Sequence, residues 1–405
     1  MLDERSCGRA ARVGVIGTSK RAASYVRNLG DYSGIHVAAI ADPNERNRSR
    51  FERLVGGLSG LRQYDDGASM FRDELLDAVV IASPNAFHAE DAVRAMSKGI
   101  PMLLEKPVAV SVEQCVQLWR EHERLAGRQV FVGFVLRYTP FYAKIKEIID
   151  SGFLGEILSI EADENVGTYV TSVLHSGWRR NDRISGGFIV EKCCHDIDVL
   201  NWLVGAQPVR VFSMGTRSHF VPRPHNEQHP RFLAADVLRN GMDYGDTGLA
   251  ATFFEAEDQS PYEVGATFPD HQSVMIEYAQ GTLCTLTAVM GQPRPTRRIR
   301  IYGSDGALSG DIQESCIVLD RPDESGNRWT RSEIAIVADS SGHHGGDQAI
   351  QDAFWRTVGG VGESCARAGL KEGIDAVLVA IAAEQSRISG ESVLMSPLHE
   401  QVFGP

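Results

Sequence analysis

Three polar clusters in this chain have the residue types and spacing for chemistry. Ser83-Pro84-Asn85-Ala86-Phe87-His88 follows the apolar run Asp77 to Ala82, and Glu105-Lys106-Pro107 follows the run Pro101 to Leu104. A lysine held at a strand end beside a proline-fixed backbone is placed to touch a cofactor ring and a substrate hydroxyl together. The third cluster, Glu191-Lys192-Cys193-Cys194-His195, sets a carboxylate and an imidazole four residues apart. The apolar spacing around it predicts one helix from Ile189 to Leu203, on which Glu191, His195, Asp198 and Trp202 share a face. Imidazole titrates near working pH, so His195 suits a general base toward a hydroxyl. Trp178-Arg179-Arg180 precedes the Gly186-Gly187 turn into that helix. A flat aromatic beside forked donors suits a sugar face with hydroxyls or a carboxylate.

The elements that must position these clusters alternate in type. Arg12 to Ile16 reads as a buried strand, Gly17-Thr18-Ser19-Lys20-Arg21-Ala22 as a turn into a helix, and His36 to Ala41 as a second strand ending at Asp42. Aligned on G-x-G-x-x-G, the turn offers Gly17, Ser19 and Ala22; the serine hydroxyl is a possible phosphate donor at the helix start. Asp42 stands about 25 residues after Gly17, near the ~20 expected for a ribose-binding carboxylate. Such an acid accepts from the 2′- and 3′-hydroxyls of NAD and repels the extra phosphate of NADP, so NAD is expected before NADP, although Arg46 and Arg48 lie nearby. Strands at Asp77 to Ala82, Pro101 to Leu104 and Gln129 to Phe134 alternate with helices, which indicates a parallel sheet covered on both faces. Ligands bind outside the carboxyl ends of such strands, where two of the clusters stand.

At 405 residues the chain suits two domains, and its composition is that of an ordinary folded protein. A net charge of −12 disfavours a nucleic-acid partner. No apolar run approaches the ~20 residues of a membrane span. The first 11 residues read as a flexible tail without the apolar segment of a signal peptide. Seven cysteines without framework spacing suggest reduced thiols in a cytoplasm, and no spacing for a metal is present.

In this order the motifs resemble the Gfo/Idh/MocA family of NAD(P)-dependent oxidoreductases, from about Arg12 to the C-terminus. Gly133-Phe134-Val135-Leu136-Arg137-Tyr138-Thr139-Pro140 and the later Leu154-Gly155-Glu156-Ile157 add to the likeness. The resemblance implies an α/β fold: a Rossmann domain with a doubly wound parallel sheet at 12–134, then an α+β domain with a large open, mainly antiparallel sheet at 135–405. It places Lys106 near nicotinamide and substrate, Glu105 beside it, and Ser83, Asn85 and His88 along the cofactor cleft with Gly17, Thr18, Ser19, Lys20, Arg21, Asp42 and Arg137. The Lys-Pro bond is often cis in relatives. Glu191 stands where the family carries aspartate, and the charged Lys192 departs from the pattern.

The function so implied is hydride transfer between a secondary alcohol of a sugar or cyclitol and NAD. Lys106, Glu191 and His195 are the catalytic candidates, and Trp178, Arg179, Lys192 and His344 join them as substrate-binding candidates. A redox-neutral, NAD-dependent glycosidase on the same fold and a non-catalytic NAD-binding regulator are the alternatives. A homodimer or homotetramer is expected, with the open sheet face as its interface. The segment His219 to Glu257, with His225 and His229, reads as a lid or an oligomer arm. In relatives the loop Ser340 to Asp347 approaches the active site, which points to His343 or His344.

Overall fold

The computed structural model describes residues 9–222, 265–337, 342–360 and 366–404 together with Tyr262, apart from 28, 30, 31, 33, 57, 59 and 126–128. The segment expected as a lid or arm therefore lies almost wholly outside the described residues. Six short strands open the chain: β1 (Ala11–Ile16), β2 (Ile35–Ala41), β3 (Arg62–Tyr64), β4 (Ala78–Ile81), β5 (Met102–Leu104) and β6 (Val130–Val132). All pair in parallel, in the order β3-β2-β1-β4-β5-β6. The order reverses between β1 and β4, which opens a crevice at their carboxyl ends. Helices α1 (Lys20–Val26), α2 (Glu45–Leu54), α3 (Gly67–Asp73), α4 (Asn85–Ser97) and α5 (Val112–Arg124) connect the strands. Ser19, Asn44, Asp66 and Ser111 accept backbone N–H bonds at four of their N-termini, which satisfies donors the first turn leaves unpaired.

The second sheet holds β7 (Ile157–Gly167), β8 (Pro208–Thr216), β9 (His271–Tyr278), β10 (Leu283–Gln292), β11 (Arg298–Gly303), β12 (Ala307–Asp311), β13 (Cys316–Pro322), β14 (Trp329–Ala335) and β15 (Val393–Leu394). Its order is β14-β13-β12-β11-β7-β10-β9-β8-β15, antiparallel except between β7 and β10. Residues alternate between buried and exposed along β8, β9 and β10, so one face is covered and the other open. The remaining helices are α6 (Pro140–Asp150), α7 (Thr168–Leu174), α8 (Asp182–Ser185), α9 (Gly187–Glu191), α10 (Cys194–Val204), α11 (Gly346–Val358), α12 (Leu370–Ser389) and α13 (Ser396–Phe403).

Two helices depart from simple order. Although α11 comes late in the chain, it packs on the first sheet: Ile350, Phe354 and Trp355 share one apolar cluster with Val13, Val80 and Phe131. Burying side chains of that size stabilises by roughly 1.5–3 kcal/mol each. The loop before α11 is thereby held over the crevice. The helix expected from Ile189 to Leu203 is instead two, α9 and α10, broken at Lys192-Cys193. A strand expected at Glu263 to Thr267 does not form over its described part, 265–267.

Candidate active site

A cleft of about 1640 Å³ lies along the carboxyl ends of the first sheet, and both domains line it. Single-ligand pockets run to roughly 300–1,000 Å³, so this one has room for a dinucleotide and a small substrate. Its first end is the β1–α1 turn. Gly17 has φ +78°, and a Cβ there would lie 2.4 Å from Ser83 N, so only glycine allows β1 and β4 to close on each other. Asp42 Oδ2 accepts from Thr18 N at 3.0 Å and Thr18 Oγ1 at 2.9 Å, and Oδ1 from Asn44 N at 2.9 Å. A carboxylate oxygen has about two acceptor positions, so Oδ1 keeps one for a ribose hydroxyl. Ser19 Oγ accepts from Ala22 N and donates to Ala82 O, each at 3.3 Å. Its proton points to the carbonyl that follows β4. Lys20 lines the same end, 6.0 Å from the Tyr169 ring.

Arg21 crosses the cleft floor. It donates to Glu105 Oε1 at 2.5 Å, Asp347 Oδ1 at 2.6 Å and Tyr25 OH at 2.8 Å. Tyr25 OH also donates to Glu105, whose Oε2 accepts the Lys106 backbone N–H at 3.0 Å. Burial pushes the Glu105 carboxyl up, but Arg21 and Lys106 outweigh it and hold the group below its usual range. Gly133 admits this carboxylate, since a Cβ there would sit 3.0 Å from Oε1. The Lys106-Pro107 bond is cis. His88 is buried between two carbonyls, Pro107 O and Ser83 O, each 2.7 Å from a ring nitrogen. Burial lowers its pKa. A neutral ring donates to only one of the two, and in either tautomer the imidazole sits between the start of α4 and the Lys106-Pro107 turn.

The break between α9 and α10 has a chemical consequence. Glu191 O, which in an unbroken helix would accept from His195 N, accepts from Lys106 Nζ at 2.6 Å. The Glu191 side chain faces the cleft as well. Oε1 takes Arg179 Nε at 3.2 Å, and Oε2 takes Asn85 Nδ2, which also donates to Ser185 O at 2.8 Å. Asn85 thus ties α4 to the second domain beside the Lys106–Glu191 contact. His195 is 4 % exposed, and its Nδ1 is buried with no hydrogen-bond partner. Burial first, then the charges of Lys106, Arg297, His343 and Lys192, hold its pKa well below the ordinary value. It is a neutral imidazole with a free ring nitrogen, in surroundings that oppose a lasting positive charge on it.

Asp198 and Trp202 turn away from the cleft. Arg137 lies outside the cleft lining; it is buried and donates to Asp198 at 2.9 and 2.7 Å and to Arg367 O at 2.7 Å. Trp202 lies against the same guanidinium, 5.4 Å from ring centre to Cζ. Ser83, Trp178, Arg179, Lys192 and His344 do line the cleft, whereas Arg180 borders a separate, smaller concavity. The adjacent thiols Cys193 and Cys194 are fully buried, and burial pushes Cys194 up to about 12, so neither is reactive.

Sequence reasoning missed one group altogether. Lys192 Nζ lies 3.2 Å from Glu164 Oε1, and Arg297 pairs with both Glu164 and Asp196. Arg297 Nε is 2.8 Å from Asp196 Oδ1 but badly angled, so the hydrogen bond runs through Nη2 at 3.2 Å. Burial raises Asp196 to about 7 despite Arg297. Glu164 is on β7 and Arg297 just before β11, 133 residues apart, so no local motif announces the pair. Among the described residues no group of three His, Cys, Asp or Glu is arranged to hold a metal ion.

The chain matches a family model described as an oxidoreductase NAD-binding Rossmann fold over 11–134, and its C-terminal alpha/beta companion over 146–395. A Bacillus subtilis protein, YteT, is 24 % identical over 374 residues, 84 % of this chain and 87 % of that one. Inositol 2-dehydrogenase 2 of Saccharopolyspora erythraea is 31 % identical over 231 residues, 57 % of this chain and 64 % of the relative. A solved structure of levoglucosan dehydrogenase with NADH and L-sorbose shares the fold, with a TM-score of 0.72 at 19 % identity over 96 % of this chain and 99 % of that one. With both models matched across nearly its whole length, the chain belongs to the Gfo/Idh/MocA oxidoreductase family, and its first domain is an NAD-binding Rossmann domain.

Proposed function

We propose that the protein oxidises a secondary alcohol of a sugar or cyclitol, or runs the reverse reduction, with NAD as its redox partner. The observation that carries this reading is the convergence of Lys106, bonded to Glu191 O, and a neutral, buried His195 on the lining of one cleft. Bound in the cleft, NAD supplies the hydride acceptor. His195 takes the hydroxyl proton, and Lys106 stabilises charge developing on the substrate oxygen, a contribution that is large where water is excluded. Glu191 accepts from a substrate hydroxyl and keeps Arg179 and Asn85 in place. Trp178, Lys192 and His344 hold the remaining hydroxyls. The substrates in the relatives' names, inositol and levoglucosan, are polyols of this kind. Asp42 favours NAD over NADP, because Arg48 is already engaged with Asp65 at 2.8 Å and with Asp42 O.

The test mixes the protein with NAD and a panel of cyclitols, free sugars, uronates and aryl glycosides, and follows NADH absorbance. NADH is expected with one class of alcohol. Lys106→Met is expected to bind NAD as the wild type does while kcat falls on the order of 10²-fold or more. Glycoside cleavage that requires NAD without net NADH would replace the dehydrogenase with a redox-neutral cycle. Unchanged turnover in the variant would remove Lys106 from the chemistry.

A further inference from the structure

The oxidation just proposed leaves a proton on His195, and the structure gives that residue poor means of keeping it. The ring is buried, Nδ1 has no partner, and Lys106 from the end of β5, Lys192 from the α9–α10 turn and Arg297 from before β11 all oppose a second positive charge there. A proton taken from substrate must leave quickly. Beside His195 stands a second imidazole, His343, with ring centres 6.2 Å apart. His343 is on the loop that α11 holds over the cleft, and its side chain is 39 % exposed, so it reaches from the buried ring to water. Its Nδ1 lies 2.9 and 3.0 Å from the two oxygens of Asp347. Burial raises the Asp347 carboxyl, but Arg21 from α1, 2.6 Å away, and His343 reverse this and keep it ionised.

The backbone that presents this ring is unusual. His343 and His344 have φ of +49° and +53°, and Gly345 follows at +85°. Two consecutive non-glycine residues in the left-handed region are held against their own preference, which draws attention to what they present.

We infer that His343 and Asp347 form a proton exit: an imidazole–carboxylate pair that takes the substrate proton from His195 and passes it to solvent. This rests on the dehydrogenase reading above. The alcohol loses its hydroxyl proton to His195 and its C–H hydride to NAD, and its C–O bond becomes a carbonyl. His195 gives up a proton from one ring nitrogen through an intervening water to His343 Nε2. Nδ1–H of His343 donates to Asp347 throughout, and the Nε2 proton goes to bulk water, so one H⁺ is released per NADH. His343 is a positioning and relay residue; it need not touch substrate.

The experiment uses His343→Gly, because glycine accepts the left-handed backbone and the fold is expected to keep its melting temperature. With a substrate that the wild type oxidises, kcat at low buffer concentration is expected to fall on the order of 10-fold with KM nearly unchanged, and the solvent deuterium isotope effect to rise. Added imidazole, rising to tens of millimolar, is expected to restore most of the loss, and a bulky buffer to restore none. In parallel, Asp347→Asn, which removes the carboxylate that holds His343 Nδ1, is expected to lower kcat by a comparable factor with KM nearly unchanged. An unaffected kcat, or a loss that imidazole does not restore, overturns the relay while leaving the dehydrogenase standing. A wild-type kcat in Asp347→Asn overturns the pair. A wild type that oxidises no alcohol removes both readings together.

Discussion

Arg21 donates to Glu105 and Asp347 at once, so one guanidinium compensates two carboxylates that burial would otherwise protonate. Its partners lie 84 and 326 residues away. No spacing rule reaches that far, which is why sequence reading placed Arg21 among cofactor contacts and left its clamping of the Lys106 turn unseen. Removing one partner of a buried, hydrogen-bonded pair typically costs about 3–5 kcal/mol, and Arg21→Met is expected to fall in that range. The pH dependence has a definite sign. Both carboxyls have folded pKa values below their unfolded ones, so the stability they contribute is present above the unfolded values of about 4 and is lost as pH falls through the folded ones. The gap between wild type and Arg21→Met should therefore be widest near pH 7 and narrow as pH falls toward 3, because the variant's uncompensated carboxyls take up protons first. Urea midpoints measured from pH 7 to 3 decide this, and a gap that stays constant would mean that neither carboxylate is compensated by Arg21.

At the scale of elements, two features set the site: a turn that the sequence announces and a helix break that it hides. The β1–α1 turn was legible because Gly17 follows an apolar strand and precedes a serine-capped helix. Its geometry explains the glycine, with φ +78° and a Cβ that would meet Ser83 N at 2.4 Å. Gly17→Ala carries the left-handed penalty of about 1–2 kcal/mol and must also separate β1 from β4. The expected outcome is a melting temperature lower by several degrees and NAD affinity weakened at least on the order of 10-fold, read by calorimetry and by fluorescence titration. Wild-type affinity would show that the crevice tolerates an opened turn. The break at Lys192-Cys193 was not legible, because the apolar period runs through it from Val190 to Leu200. At the break, Glu191 O accepts a tertiary bond from Lys106 Nζ at 2.6 Å, made by a residue on the other domain. The strands β12, β13 and β14 also escaped sequence reading, since β14 is almost wholly exposed and carries no apolar alternation.

For the molecule as a whole, the open face of the nine-stranded sheet decides what the chain does with its surface. On that face Phe212 pairs directly with Met275, Met214 with Ser273, and Leu283 with Glu277. Leu394 joins them from the edge strand, across from Arg210. Phe212, Met214, Met275, Leu283 and Leu394 are 36 to 68 % exposed. Alternation along β8, β9 and β10 put them there deliberately, with Val211, Val274 and Cys284 buried on the opposite face. An apolar patch on a folded domain marks a contact surface more often than an accident, and Arg210 and Glu277, which stand between Leu394 and Leu283 on this face, are neutralised there by a 2.6 Å ion pair. The expectation drawn from sequence, that this face joins copies of the chain, is therefore the economical proposal. Met275→Glu combined with Phe212→Lys places charges at the centre of the patch without touching the core or the cleft. Light scattering is expected to show the wild type at a multiple of the 44.3 kDa chain mass and the double variant at one, with the unfolding transition of each protomer retained. A wild type of single-chain mass at micromolar concentration would leave the face to some other partner, and an unchanged mass in the variant would move the interface elsewhere on the molecule.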